Sequence, residues 1–161
     1  MHRVGQFIGH LTARVDPIEE ERARGLLPAS AWSLFVAMPT ADRRHALDVA
    51  GRLVSAGQAD PDLLTAALLH DAAKGRRMRL WHRVGGVLLE AAAPKALARL
   101  ASSEVHSWRY PFYLYLHHAA LSADAAREAG CSQRTVAFIR GTTEGDDAVL
   151  AAALRAADEG R

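Results

Sequence analysis

The chain has 161 residues, enough to bury a core, and its length fits one domain. Half of the residues are hydrophobic, 24% are charged and the formal net charge is +2, an ordinary composition that makes no case for nucleic acid as a partner. The single cysteine, Cys131, excludes an intrachain disulfide and a cysteine-built zinc cluster, and the setting expected is cytoplasmic and reducing. No run approaches about 18 uninterrupted apolar residues, so no membrane span is expected. The opening MHRVGQFIGHLTARVD lacks a continuous apolar stretch and a small-residue cleavage site, and is not read as a signal peptide.

Helical signals dominate in chain order. Val4, Phe7, Ile8, Leu11 and Val15 fall at helical spacing and predict an amphipathic helix. Asp16-Pro17 reads as an N-cap followed by proline at the first helical position, with Glu19, Glu20 and Glu21 suited to the dipole and Gly25 as the stop. A short helix follows from Ala29 to Met38. Thr40 is expected to cap a longer one that ends near Ala56, with Gly57 beyond it. Asp60-Pro61 repeats the cap-plus-proline pattern. The helix it opens is apolar nearly all round as far as Leu69, which places it in the centre of a domain. Further helices are expected near 78–91, 94–101, 111–129, 133–140 and 147–158, with Ser132 and Asp146 as caps for the last two. No alternating β-branched run suggests a sheet. The reading is one all-α domain over 1–161, a helical bundle with its motif-bearing core at about 40–160 and residues 1–39 as a helical extension packed on it.

The sharpest chemical feature is LLHDAAKG, residues 68–75. A core helix that ends in His70, Asp71 and Lys74 buries ionisable groups, and burial without partners is costly. A bound cation would resolve that cost for an imidazole and a carboxylate. Lys74 projects from the same side and can face an anion held beside the cation. The same three residues also read as an ordinary, partly exposed helix end, with Lys74 suiting the C-terminal dipole.

His45 shares a helical stripe with Val49, so it points inward or to the margin of the core. Alone it would read as a hydrogen-bonded core histidine. Asp158 extends the stripe of Leu150 and Leu154. A carboxylate at a helix C-terminus is disfavoured unless a cation is near, and it also reads as a solvated terminal acid. Asp146 and Asp147 are rival acids that capping explains. Arg43 and Arg44 read either as a solvated basic pair or, Arg44 first, as a phosphate contact. Asp48 stands one turn after Arg44 and pairs with it. His82, His106 and His117 read as structural or surface residues. Trp81, Trp108, Tyr110, Phe112, Tyr113 and Tyr115 read as core or pocket rim.

Taken in order, RRHALDVA, AALLHDAAKG and LRAADEG resemble the H…HD…D signature of the HD-domain metal-dependent phosphohydrolase superfamily. The HDxxK form with Lys74 is similar to subgroups that hydrolyse nucleotides and dinucleotides. The resemblance covers about residues 40–160. It implies a helical bundle of the HD-domain type with one divalent ion (Mn, Fe, Zn, Ni, Co or Mg) held by His45, His70, Asp71 and Asp158. It implies catalytic roles for Asp71 and Lys74, and contacts to a small phosphorylated substrate, a nucleotide by analogy, from Arg44, Lys74 and His118. The chemistry implied is hydrolysis by water that the metal activates. LHHAALSADAAREAG, residues 116–130, is similar to a segment HPxxGAxxLxxxG of many HD proteins. Here Ala119 stands for its proline and Ser122 for its glycine. Gly141 stands where a histidine often serves a second metal, so one ion per chain is expected. The departures also suit an alternative, a catalytically degenerate HD domain that acts as a metal- or nucleotide-binding regulatory module.

Overall fold

The computed structural model describes residues 14–75, 78 and 80–160. The amphipathic helix expected from Val4 onward lies outside them, apart from Val15. The described residues form nine α-helices and no strand: α1 Pro17–Leu26, α2 Ala29–Ala37, α3 Thr40–Ser55, α4 Pro61–Leu69, α5 Leu80–Ala92, α6 Pro94–Leu100, α7 Tyr110–Glu128, α8 Gln133–Arg140 and α9 Asp146–Asp158. None of them is long and apolar enough to cross a membrane.

Local chemistry explains most boundaries. Asp16 accepts the Ile18 N–H at 2.8 Å and Asp60 accepts that of Leu63 at 3.0 Å, each just before a proline whose missing N–H costs nothing at a helix start. Ser132 caps α8 through the Thr135 N–H at 3.0 Å. Gly57 follows α3 with φ 80°.

Three expected signals are corrected. Thr40 is not the cap of α3. The Pro39 carbonyl takes the first helical bonds, from Asp42 and Arg43, and Thr40 is already helical. Gly25 does not stop α1, which runs on to Leu26; Pro28 then forces Leu27 into an extended conformation. Asp146 does not cap α9, because Gly145 takes that position at φ 58°, a backbone state that glycine adopts at little cost.

Helix α4 is the centre of the bundle. Every residue from Leu63 to Leu69 is buried. Around it lie Ala46, Val49 and Leu53 of α3, Ala123 and Ala126 of α7, Val136 and Phe138 of α8, and Ala151, Leu154 and Ala157 of α9, all in one core cluster. Each leucine buried there is worth about 1.5–3 kcal/mol relative to an exposed one. Ala23, Ala31 and Phe35 of the first two helices, and Met38 just after them, belong to that same core. Helices α5 and α6 pack against each other and against α7. Gly86 permits part of this approach, since a Cβ there would stand 2.7 Å from the Tyr115 ring. The α4 helix stops at Leu69. Residues 70–75 form tight turns closed by Ala72 N–H to the Leu69 carbonyl and Lys74 N–H to the Asp71 carbonyl, both at 3.0 Å. His70 and Asp71 therefore sit where the buried helix becomes a turn, with α7 alongside.

Candidate metal centre

Three helices deliver the side chains. His45 comes from the middle of α3, His70 from the C-cap of α4 and Asp158 from the last residue of α9. A ligand atom from each lies within 4.8 Å of the other two, and the group can hold a metal ion. His45 Nε2 is 2.8 Å from Asp158 Oδ1, and His70 Nε2 is 3.5 Å from that same oxygen. Two ligands about 2.1 Å from one tetrahedral ion stand roughly 3.4 Å apart, so these spacings suit one centre. Asp71 adjoins it, with Oδ1 3.6 Å from His70 Nε2. Arg52, two turns beyond His45, donates to the Ala157 carbonyl at 2.9 Å and fastens the end of α9 to α3.

The depth of the cluster is graded. The Asp71 side chain is 2% exposed and forms the floor, while Asp158, at 45%, opens to solvent. Lys74 donates to Asp71 Oδ2 at 2.6 Å. The other oxygen, Oδ1, is buried and has no hydrogen-bond partner, and neither has His70 Nε2. A buried acceptor left bare costs about 1–3 kcal/mol, and natural structures leave few. A cation between two such atoms would satisfy both.

Proton positions reinforce the fit. His70 Nδ1 lies 2.9 Å from the Ala67 carbonyl, which can only accept, so Nδ1 carries the proton. Nε2 is therefore the nitrogen turned toward Asp71 and Asp158, and the one a metal would take in place of a second proton. Burial pushes the His70 imidazole down, yet the Asp71 and Asp158 carboxylates beside it prevail and raise it to about 9. A proton on Nε2 thus does electrostatically what a cation would do. Burial raises the Asp71 and Asp158 carboxyls. His70 and Lys74 at Asp71, and the His45 hydrogen bond together with the nearby His70 ring at Asp158, outweigh it and hold both below the usual carboxylate range.

His118 also reaches this place from α7. Its Nδ1 donates to the Tyr115 carbonyl at 2.9 Å and its Nε2 stands 3.8 Å from Asp71 Oδ1. Burial first, and then Lys74, lower its pKa, which favours the neutral ring.

Other expected residues are placed elsewhere. Arg44 is about 100° around α3 from His45. Glu19 takes two of its guanidinium nitrogens, and Asp48 accepts from Nε at 3.0 Å. These residues line an open hollow of about 580 Å³. Asp147 is gripped by Arg134 at 2.7–3.0 Å, which removes it as a rival ligand. Gly141 ends α8 in the left-handed region at φ 75°, a conformation that disfavours a histidine there. Ser122, visible in the sequence as a departure from a motif, turns out to be buried and to accept the Ala73 N–H at 3.0 Å. Nothing local in the sequence marks that contact.

Comparisons of the chain with family models, with curated proteins and with solved structures find no match.

Proposed function

We propose that this chain is a metal-dependent phosphohydrolase acting on a small phosphorylated molecule, with a nucleotide as the favoured class. The observation that carries the reading is the pair of buried, unpartnered ligand atoms, His70 Nε2 and Asp71 Oδ1, beside His45 and Asp158. The H…HD…D resemblance supports it and supplies the substrate class by analogy. His45, His70, Asp71 and Asp158 would hold one divalent ion. When bound, such an ion acidifies water and polarises a phosphoryl oxygen. Were His45 to ligate through Nε2, the proton that it donates to Asp158 would be released to water. His118 presents a neutral Nε2 that can accept a hydrogen bond from water at the floor of the site. Lys74 keeps Asp71 ionised and turns a positive charge toward an entering phosphate.

A second reading, the regulatory binding module, draws on one observation: the Lys74 ammonium is engaged by Asp71 and Arg44 is engaged by two carboxylates. One experiment decides between them. Metal content is measured on protein purified without chelator, and phosphate release is then followed from nucleoside mono-, di- and triphosphates and dinucleotides. Metal with turnover supports the hydrolase. Metal without turnover on any of these supports the module, and no affinity for any divalent ion removes both.

A further inference from the structure

The turn that carries Asp71 and Lys74 is held from outside, by a residue of α7. The Ser122 side chain is fully buried, and its Oγ accepts the Ala73 N–H at 3.0 Å. Ala73 stands between the two charged residues, two positions after Asp71 and one before Lys74. Neighbouring amides bond to carbonyls three or four residues back: His70 N–H to the Ala66 carbonyl, Ala72 to Leu69 and Lys74 to Asp71. The Ala73 amide instead bonds to a side chain 49 residues away. One turn before Ser122 on the same helix, His118 faces Asp71. Two residues of α7 therefore meet this turn, one at a backbone amide and one at the carboxylate.

We infer that Ser122 is a positioning residue: its buried hydroxyl sets the conformation of the 71–75 turn, and through that turn the placement of Asp71 at the metal centre. The consequence for metal rests on the reading given under Proposed function, whereas the hold on the turn does not. Alanine at 122 removes the acceptor and leaves the Ala73 amide without its partner in a half-buried turn. Threonine keeps the hydroxyl. No other residue type offers an acceptor so short from a helix at that depth except cysteine, whose sulfur accepts weakly.

The test has three variants and three readouts: exchange of the Ala73 amide by NMR, affinity for Co²⁺ alone by titration, and the melting temperature in chelator. In Ser122→Ala, Ala73 exchange should rise about tenfold or more. Co²⁺ affinity should fall roughly 10–100-fold, as it does when groups that orient metal ligands are lost. Ser122→Thr should restore Ala73 protection. Thr135→Val removes another buried hydroxyl, one bonded to Asp62 far along the bundle, and should lower the melting temperature with Co²⁺ affinity unchanged. Unchanged Ala73 exchange in Ser122→Ala overturns the inference. So does a fall in Co²⁺ affinity that Thr135→Val reproduces, since stability alone would then explain it. If the parent takes up neither Co²⁺ nor any other divalent ion, the proposed function fails, and Ala73 exchange still decides whether Ser122 holds the turn.

Discussion

His118 Nε2 faces Asp71 Oδ1 across 3.8 Å, and neither atom has a proton for the other. The imidazole proton is committed to the Tyr115 carbonyl, and the carboxyl is held ionised by His70 and Lys74. Two acceptors turned toward each other at the floor of a site need a donor or a cation between them. The first predictions follow from that relationship.

Asp71→Asn should lose metal, because an amide oxygen cannot supply the charge that a divalent ion draws from a buried carboxylate. Asp158→Asn should weaken binding less, since Asp158 is half exposed and water can take its place. Equilibrium dialysis against Mn²⁺ and Co²⁺ measures both. Equal retention of metal in Asp71→Asn and the parent would remove Asp71 from the ligand set.

Lys74→Ala should keep most of the metal and slow phosphate release by roughly 10²–10³, the usual cost of losing one donor aimed at developing charge. Initial rate and metal occupancy are measured on the same samples. A variant that turns over at the parent rate would leave Lys74 as nothing more than the counterion of Asp71 that the structure shows.

One tightly bound ion per chain is expected, because Gly141, which would have to be a histidine to help a second, closes α8 at φ 75°. Elemental analysis that finds two equivalents of a transition metal would contradict this. Saturating metal at about 100 times its Kd should also stabilise the fold by about 2.7 kcal/mol, reversed by chelator.

Gly86→Ala should destabilise the packing of α5 on α7. The new methyl would lie 2.7 Å from the Tyr115 ring, and a ring atom cannot give way as a flexible chain end does. Overpacking of this kind costs about 1–3 kcal/mol. A urea midpoint unchanged from the parent would mean that Tyr115 moves freely, despite its hydrogen bond to Glu90.

Acid sensitivity should centre partly on Asp60 and Asp62. Burial works against their ionisation, yet bonds from Arg134 and Leu63 to Asp60, and from Ser132, Thr135 and Arg134 to Asp62, hold both carboxyls below their ordinary value. The folded state then binds fewer protons than the unfolded one. The stability these groups add is present above about pH 4 and is lost as pH falls through their depressed folded values. Asp62→Asn should be less stable than the parent near pH 7 and should show a shallower acid limb. Parallel limbs in chemical denaturation at several pH values would assign the acid response to other groups.

Much of this molecule follows from short-range rules. The caps at Asp16, Asp60 and Ser132 satisfy amides two or three residues away, so they are legible in a few letters of sequence. The central place of α4 follows from its lack of a polar face. His45, the His70-Asp71 pair and Asp158 are conspicuous in the sequence because each interrupts or extends an apolar stripe. Caps at Thr40 and Asp146 failed as expectations because the preceding Pro39 and Gly145 compete for the same position.

The assembly of the candidate site is a tertiary matter. His45 meets Asp158 across 113 positions of chain, and Ser122 meets Ala73 across 49. Sequence by itself determined the helices and the residue types that can ligate. Only the packing of α3, α7 and α9 around the end of α4 brought Asp158 beside the histidines, paired Lys74 with Asp71 and turned Arg44 to Glu19 and Asp48. Helix faces and caps depend on neighbours within a turn or two, whereas charge pairing depends on which side chains the fold brings within about 4 Å.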